Sequence, residues 1–209
     1  MEVYDISMSI YNDMPVYKGR VLKRPVITVV SDFGSGSVYE TKLEMNMHTG
    51  THIDAPLHIF PQGGTIDKLD LHKVVTRCKV FDFTHVEEKI SQEHLMAKDI
   101  QEGDFILLKT RNSYLDILEG EFVYLDYSGA EYLSNKKIIG VGIDALGIER
   151  NQPKHDTHKA LLGAGIIILE GLWLREIAED EYLLAAAPLR VLGAEAAPVR
   201  ALLIKNLKI

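Results

Sequence analysis

Hydrophobic and polar positions alternate most regularly between residues 39 and 47. Apolar side chains and one threonine occupy the odd positions, and charged or amide side chains occupy the even ones. A period of two is typical of a strand with one buried face. The pattern therefore predicts a half-buried strand over 39–47, and its polar face continues directly into His48.

Shorter apolar and β-branched runs predict the other elements of the chain. Strands are expected at 2–7, 25–31, 79–83, 105–109, 138–143, 166–169, 183–188 and 199–204, and helices at 91–98, 128–135 and 159–164. Ser91 and Ser128 have the residue type and position of helix N-terminal caps. Because strands outnumber helices, the pattern predicts a single α/β or α+β domain over residues 1–209.

Composition removes several classes of function. The 209 residues carry a net charge of −7, which argues against nucleic-acid binding through a broad basic surface. The single cysteine, Cys78, cannot form a disulfide within one chain and is consistent with a reducing compartment. Neither a signal peptide nor an uninterrupted apolar run of about eighteen residues is visible. We therefore expect a cytoplasmic protein that has no contact with membranes or nucleic acids.

The chemistry of the sequence is concentrated between residues 48 and 58. His48, His52, Asp54 and His58 are separated by four, two and four residues, so an extended backbone would direct all four side chains to one face. Imidazole and carboxylate groups are ligands for divalent cations such as Zn²⁺ and Mn²⁺. A lone histidine is usually structural or solvated, but four potential ligands at even spacing favour a metal or catalytic site.

Carboxylates also follow two of the expected buried strands. Asp144 ends the run 138–143, where either a functional role or capping of the next segment fits the pattern. Glu170 follows four aliphatic residues, and a carboxylate is costly to bury there unless it is paired or bound to a cation. It could equally have reached solvent at the end of its strand.

The segment from His48 to His58 resembles the signature of the cyclase family of metal-dependent hydrolases, with the form His-x-Gly-Thr-His-x-Asp-Ala-Pro-x-His. That family includes bacterial kynurenine formamidases and isatin hydrolases. Further similarity lies at 5–7, 14–17, 103–104, 142–145, 158–172, 187–189 and 198–200. The chain departs from the family at Lys18, where proline is frequent, and at Gly147 and Glu149, where serine and aspartate are common.

The resemblance implies a swivelling β/β/α fold with a central barrel-like sheet, assembled as a homodimer or homotetramer. It also implies a centre of one or two divalent ions, with Zn²⁺ expected and Mn²⁺ possible as an alternative. Five residues would hold these ions: His48, His52, Asp54, His158 and Glu170. Asp54 would bridge the two ions. His155 is a rival for His158, which is preferred because its spacing to Glu170 matches the family.

His58 matches the family's catalytic histidine, and its ordinary pKa of about 6.5 suits proton transfer to a leaving amine. The implied function is hydrolysis of a small aryl amide, with N-formyl-L-kynurenine of tryptophan catabolism as the leading substrate. Isatin or another cyclic amide is the alternative substrate. A metal-binding protein without turnover is the alternative from another class, and His58 argues against it because binding alone needs no proton carrier.

Overall fold

The computed structural model describes residues 1–115 and 121–206. Within these ranges the strands are β1 (Glu2–Asp5), β2 (Val26–Ser31), β3 (Glu40–Glu44), β4 (His52–Asp54), β5 (Val75–Asp82), β6 (Lys89–Ile90), β7 (Phe105–Lys109), β8 (Tyr124–Leu125), β9 (Gly140–Ile143), β10 (Ile167–Glu170), β11 (Glu181–Ala185), β12 (Ala196–Pro198) and β13 (Leu202–Lys205). The α-helices are α1 (Gln92–Met96), α2 (Tyr127–Lys136) and α3 (Asp156–Gly163). No helix in the described ranges is long and apolar enough to cross a membrane.

Nine of the described strands form one mixed sheet in the order β1-β13-β11-β5-β7-β9-β10-β4-β12. The central strands β5, β7, β9 and β10 are parallel to their neighbours in that group, and the outer pairs are antiparallel. Parallel strands need cover on both faces, which is why β7 is apolar from Phe105 to Leu108. The expected mixed α/β fold with a curled, barrel-like sheet is confirmed.

Two apolar layers cover the faces of this sheet. On β7, Phe105 and Leu107 belong to a core formed with β4, β5, β11 and β13, where the sheet curls over itself. The alternate residues Ile106 and Leu108 belong to a second core, to which the three helices contribute. The candidate site lies on this helical side, because α3 packs beside β10.

The strand expected over 39–47 is shorter than predicted, and its expected burial is wrong. β3 covers only residues 40–44, and all five positions are exposed. It pairs with β2 in a separate two-stranded ribbon, so no second layer covers its apolar face within the described residues. The alternation was therefore a correct sign of a strand but not of a core-facing one.

The predicted N-terminal caps agree with the structure at one helix and not at another. Ser91 is the N-cap of α1, where Ser91 and His94 form a capping box. Ser128 does not begin α2, because the Asp126 carboxylate accepts a hydrogen bond from the Gly129 N–H at 2.9 Å and caps the helix two residues earlier. The short strand β12, which pairs with β4, was not predicted from the sequence.

Candidate metal centre

Strand register brings the first candidate ligands together. β4 runs antiparallel to β10, and this pairing places His52 opposite Glu170. Asp54 lies two residues further along β4, on the same face as His52. All three side chains are almost fully buried, with exposures of 1% for His52, 2% for Asp54 and 3% for Glu170. Glu170 is the last residue of a parallel strand, at the edge where α/β sheets bind their ligands.

A left-handed turn, rather than an extended strand, returns His48 to this cluster. Only residues 52–54 are in a strand, so the backbone is not extended over the whole of residues 48–58. Gly50 has φ +67°, a conformation that favours glycine. A Cβ at Gly171 would lie only 2.3 Å from the carbonyl oxygen of Gly50, so position 171 also requires glycine. The turn places the Nδ1 atom of His48 2.9 Å from Oδ1 of Asp54.

His58 reaches the same cavity from a 3₁₀ turn over Pro56–His58. Its ring centroid lies 4.2 Å from that of His48 and 5.5 Å from that of His158. Burial lowers the pKa of His58, although the nearby Asp54 carboxylate opposes this shift. The four motif residues therefore converge, but the even spacing accounts only for His52 and Asp54 on β4, and turns bring His48 and His58 to them.

His158 enters from the first turns of α3 and faces the two carboxylates. Its Nε2 atom lies 3.5 Å from Oδ2 of Asp54 and 3.4 Å from Oε1 of Glu170. The other oxygen of Asp54, Oδ1, faces His48 at 2.9 Å and His52 at 3.5 Å. One oxygen of Asp54 thus faces His48 and His52, and the other faces His158. A carboxylate that bridges two metal ions needs this arrangement.

Glu149 belongs to the site, although the sequence predicted no role for it. It is buried, and its Oε1 atom lies 3.1 Å from Nδ1 of His158 and 2.6 Å from Nδ1 of His155. The backbone N–H of His158 also donates to its Oε2 at 3.2 Å. Metal-binding imidazoles commonly place their second ring nitrogen on a carboxylate, which fixes the ring orientation. Glu149 therefore holds His158 with Nε2 directed at Asp54, whereas His155 is about half exposed and faces Glu149 instead.

The charges of the cluster depend on one another. Burial raises the pKa of Asp54, but the His158 and His48 imidazoles outweigh it and hold that pKa well below its usual range. Burial and the Asp54 charge raise the pKa of Glu170, yet His158 and His52 lower it to about 2. Burial lowers the pKa of His52, whereas Glu170 and Asp54 raise it to about 9. Without a metal ion, bound protons on the imidazoles therefore balance the two carboxylates.

The donor set of the cluster fits a divalent cation. The Nδ1 atom of His52 lies 2.9 Å from the Gly50 carbonyl oxygen, so a neutral His52 carries its proton on Nδ1. Its Nε2 lone pair then faces carboxylate oxygens of Glu170 at 3.2 Å and Asp54 at 3.5 Å. Neither that nitrogen nor either Asp54 oxygen has a hydrogen-bond partner among the described residues. Buried lone pairs facing one another in this way need a shared positive charge.

Asp144 lies outside this cluster and has a structural role. Its carboxylate accepts hydrogen bonds from the backbone N–H and the hydroxyl of both Thr110 and Ser113, at 2.7 to 3.2 Å. Burial raises its pKa to about 6 despite these four donors. Asp144 thus fastens the start of the 3₁₀ turn Arg111–Tyr114, whose N-cap is Thr110, to the end of β9.

Comparisons with known proteins show the family of this chain. Residues 4–150 match the Cyclase family model, described as "Putative cyclase". The chain belongs to the cyclase family. The kynurenine formamidase of Salinibacter ruber is 32% identical over 206 residues, which cover 97% of each chain.

Solved structures of similar proteins have the same fold. A structure described as a potential metal-dependent hydrolase with cyclase activity has a TM-score of 0.91 and 48% identity, covering 97% of this chain and 96% of its own. Isatin hydrolase A from Labrenzia aggregata has a TM-score of 0.84 and 23% identity, covering 97% of this chain and 93% of its own, and at this identity it supports the fold alone. Lys18, Gly147 and Glu149 all line the site cavity of this chain.

Proposed function

We propose that this cyclase-family protein is a divalent-metal-dependent hydrolase of small aryl amides, with N-formyl-L-kynurenine as the leading substrate. The observation that carries the proposal is the buried Asp54 carboxylate, whose two oxygens face separate groups of histidines beside the half-buried His58. The full-length similarity to a kynurenine formamidase supports the amide bond as the target.

The cavity above the cluster suits a small aromatic substrate. Its volume is about 300 Å³, at the lower end of the range for small-molecule sites. The Tyr17 ring and Leu146 supply an apolar wall, and His58 and His158 supply the polar floor. An aryl ring against Tyr17 would place its amide group over the candidate metal centre.

The proposed chemistry assigns separate tasks to the residues of the site. A divalent cation held by His48, His52, Asp54, His158 and Glu170 would supply Lewis acidity toward the amide carbonyl and would lower the pKa of water to about 7. His58 takes a proton from the attacking water and donates it to the leaving arylamine nitrogen. A C–O bond forms, the C–N bond breaks, and formate and the arylamine leave. Glu149 keeps His158 oriented throughout.

A substrate panel tests this proposal. Purified protein is stripped with a chelator, reloaded separately with Zn²⁺ or Mn²⁺, and assayed with N-formylkynurenine, isatin and a lactone. We expect hydrolysis of N-formylkynurenine that disappears after chelation and returns on reloading. Turnover that is indifferent to chelation, or no turnover of any formamide, would contradict the proposal, and faster turnover of isatin would favour the cyclic amide alternative.

We also propose that the chain forms a single domain over residues 1–209 and assembles as a homodimer or homotetramer. The pairing of β1 with β13 supports the single domain, because it joins the two ends of the described chain in one sheet. The β2–β3 ribbon supports assembly, since Val26, Phe33 and Leu43 on and beside it are exposed and an isolated two-stranded ribbon is marginally stable. A cytoplasmic location remains a prediction.

A further inference from the structure

Three basic residues line the mouth of the candidate metal cavity. Lys18, Arg20 and Lys23 share this cavity with His58 and His158. The chain as a whole has a net charge of −7, so a cluster of three cations at one opening contrasts with the rest of the molecule. We call these three residues the basic rim.

The backbone of the basic rim holds a strained residue. Lys18 has φ 56° and ψ 29°, in the left-handed region, where a residue with a Cβ costs about 1 kcal/mol or more. Its Nζ atom lies 5.2 Å from the centroid of the Tyr17 ring, at a distance typical of cation–π contact. The strained turn thus holds a positive charge beside the aromatic wall of the cavity, and strain of this kind is concentrated at binding sites.

The charges of the basic rim are available to a ligand. In the same segment Arg24 pairs with Asp13 at 3.4 Å, but no carboxylate of the described residues forms an ion pair with Lys18, Arg20 or Lys23. The cavity also contains carboxylates, but these are buried below the rim and paired with histidines: Glu149 with His155 and His158, and Glu170 with His52 and His158. Positive charge therefore dominates the opening, where it attracts anions.

We propose that the basic rim selects aryl amides that carry a carboxylate over neutral ones. The aryl group lies against Tyr17, the amide reaches the metal centre, and the carboxylate points outward to Lys18 and Arg20. The turnover part of this inference rests on the proposed hydrolase function, whereas the preference for anions does not. A neutral substrate such as isatin should therefore gain no binding affinity from the charges of the basic rim.

Two substrates, one anionic and one neutral, test the selectivity with variants of Lys18 and Arg20. The ratio kcat/KM is measured with 4-formamidobenzoate, whose carboxylate lies para to the amide, and with formanilide, which is neutral, for Lys18→Gln, Arg20→Gln and the double variant. Lys137→Gln is the matched control, because Lys137 is also an exposed lysine with φ 56° but lies at the end of α2. We expect each rim variant to raise KM for the anionic substrate about 2- to 5-fold more than KM for formanilide, with a larger difference in the double variant. Equal losses for both substrates would overturn the proposal.

A binding measurement separates this inference from the proposed function. Calorimetry compares the Kd of benzoate with that of benzamide for the Zn²⁺-loaded protein and the double variant, at low and high salt. We expect benzoate to bind more tightly to the unmodified protein, and this preference to fall in the double variant and in high salt. If the double variant loses the preference for benzoate but the unmodified protein hydrolyses no amide, the proposed function fails and the basic rim stands. A benzoate affinity unaffected by the double substitution would refute the role of the rim.

Discussion

Metal removal should make the stability of this protein fall with rising pH. In the metal-free fold, Glu170 and Asp54 raise the pKa of His52 to about 9, against 6.5 for an ordinary histidine. A group whose pKa is raised on folding stabilises the fold fully below its unfolded pKa, and this contribution is lost as pH rises through its folded pKa. The sign is therefore a loss of stability between pH 6.5 and about pH 9.

The magnitude follows from the same two pKa values. At about 1.4 kcal/mol per pH unit, the interval from 6.5 to about 9 corresponds to about 3 kcal/mol for the fully buried His52. For a domain of this size, that is a fall in Tm of about 6–12 °C. A bound divalent cation replaces the imidazole proton, so the metal-loaded protein should lack this alkaline loss.

Thermal unfolding from pH 6 to 9.5 measures both effects, with chelator in one series and Zn²⁺ or Mn²⁺ in the other. The variant His52→Asn should reduce the slope of the metal-free series, whereas His85→Asn, which changes an exposed histidine, should leave it intact. Equal slopes with and without metal would refute the reasoning, because protons and metal would then not compete for the same nitrogens.

Three further predictions concern individual residues. Asp54→Asn should deplete the bound metal, as measured by atomic emission, whereas His58→Ala should retain it. The kcat of His58→Ala should fall by a factor of about 10²–10⁴. Loss of metal from His58→Ala would instead show that His58 is a metal ligand. Glu149→Gln should weaken metal affinity about 10- to 100-fold, and His155→Ala should weaken it less. Competition with a fluorescent chelator measures both affinities. Equal effects of the two substitutions would contradict the orienting role of Glu149. Because burial raises the pKa of the Cys78 thiol to about 12, Cys78 should react with a disulfide reagent only after unfolding, and rapid labelling of native protein would contradict its placement.

The central fold was predictable because its signal is local. Residues 105–109 had to lie between two apolar layers, since every position of that run is apolar up to Lys109, and the structure places it in the parallel centre of the sheet. The alternation over 39–47 indicated a strand equally well, yet β3 is exposed. Periodicity reports the conformation of a segment, whereas its burial depends on what the rest of the chain brings against it.

The candidate site was predictable in its residue types but not in its geometry. The cluster of histidines around Asp54 stood out by density, but two turns, at Gly50 and after Pro56, create its convergence. Glu149 gave no comparable signal, because it precedes His158 by nine residues in a loop and acquires its role only when α3 folds over β10. The basic rim around Lys18 was likewise invisible, since a cavity brings it beside the histidines.

Anomalous diffraction from crystals grown with Zn²⁺ would show whether Asp54 lies at the centre of a metal site. We expect a peak for Zn²⁺ at about 2.0–2.2 Å from a carboxylate oxygen of Asp54, with further ligands from His48, His52, His158 and Glu170. We also expect that His58 lies outside coordination distance of any peak. A peak held by His58, a peak held only by Glu149 and His155, or no peak beside Asp54 would contradict this expectation.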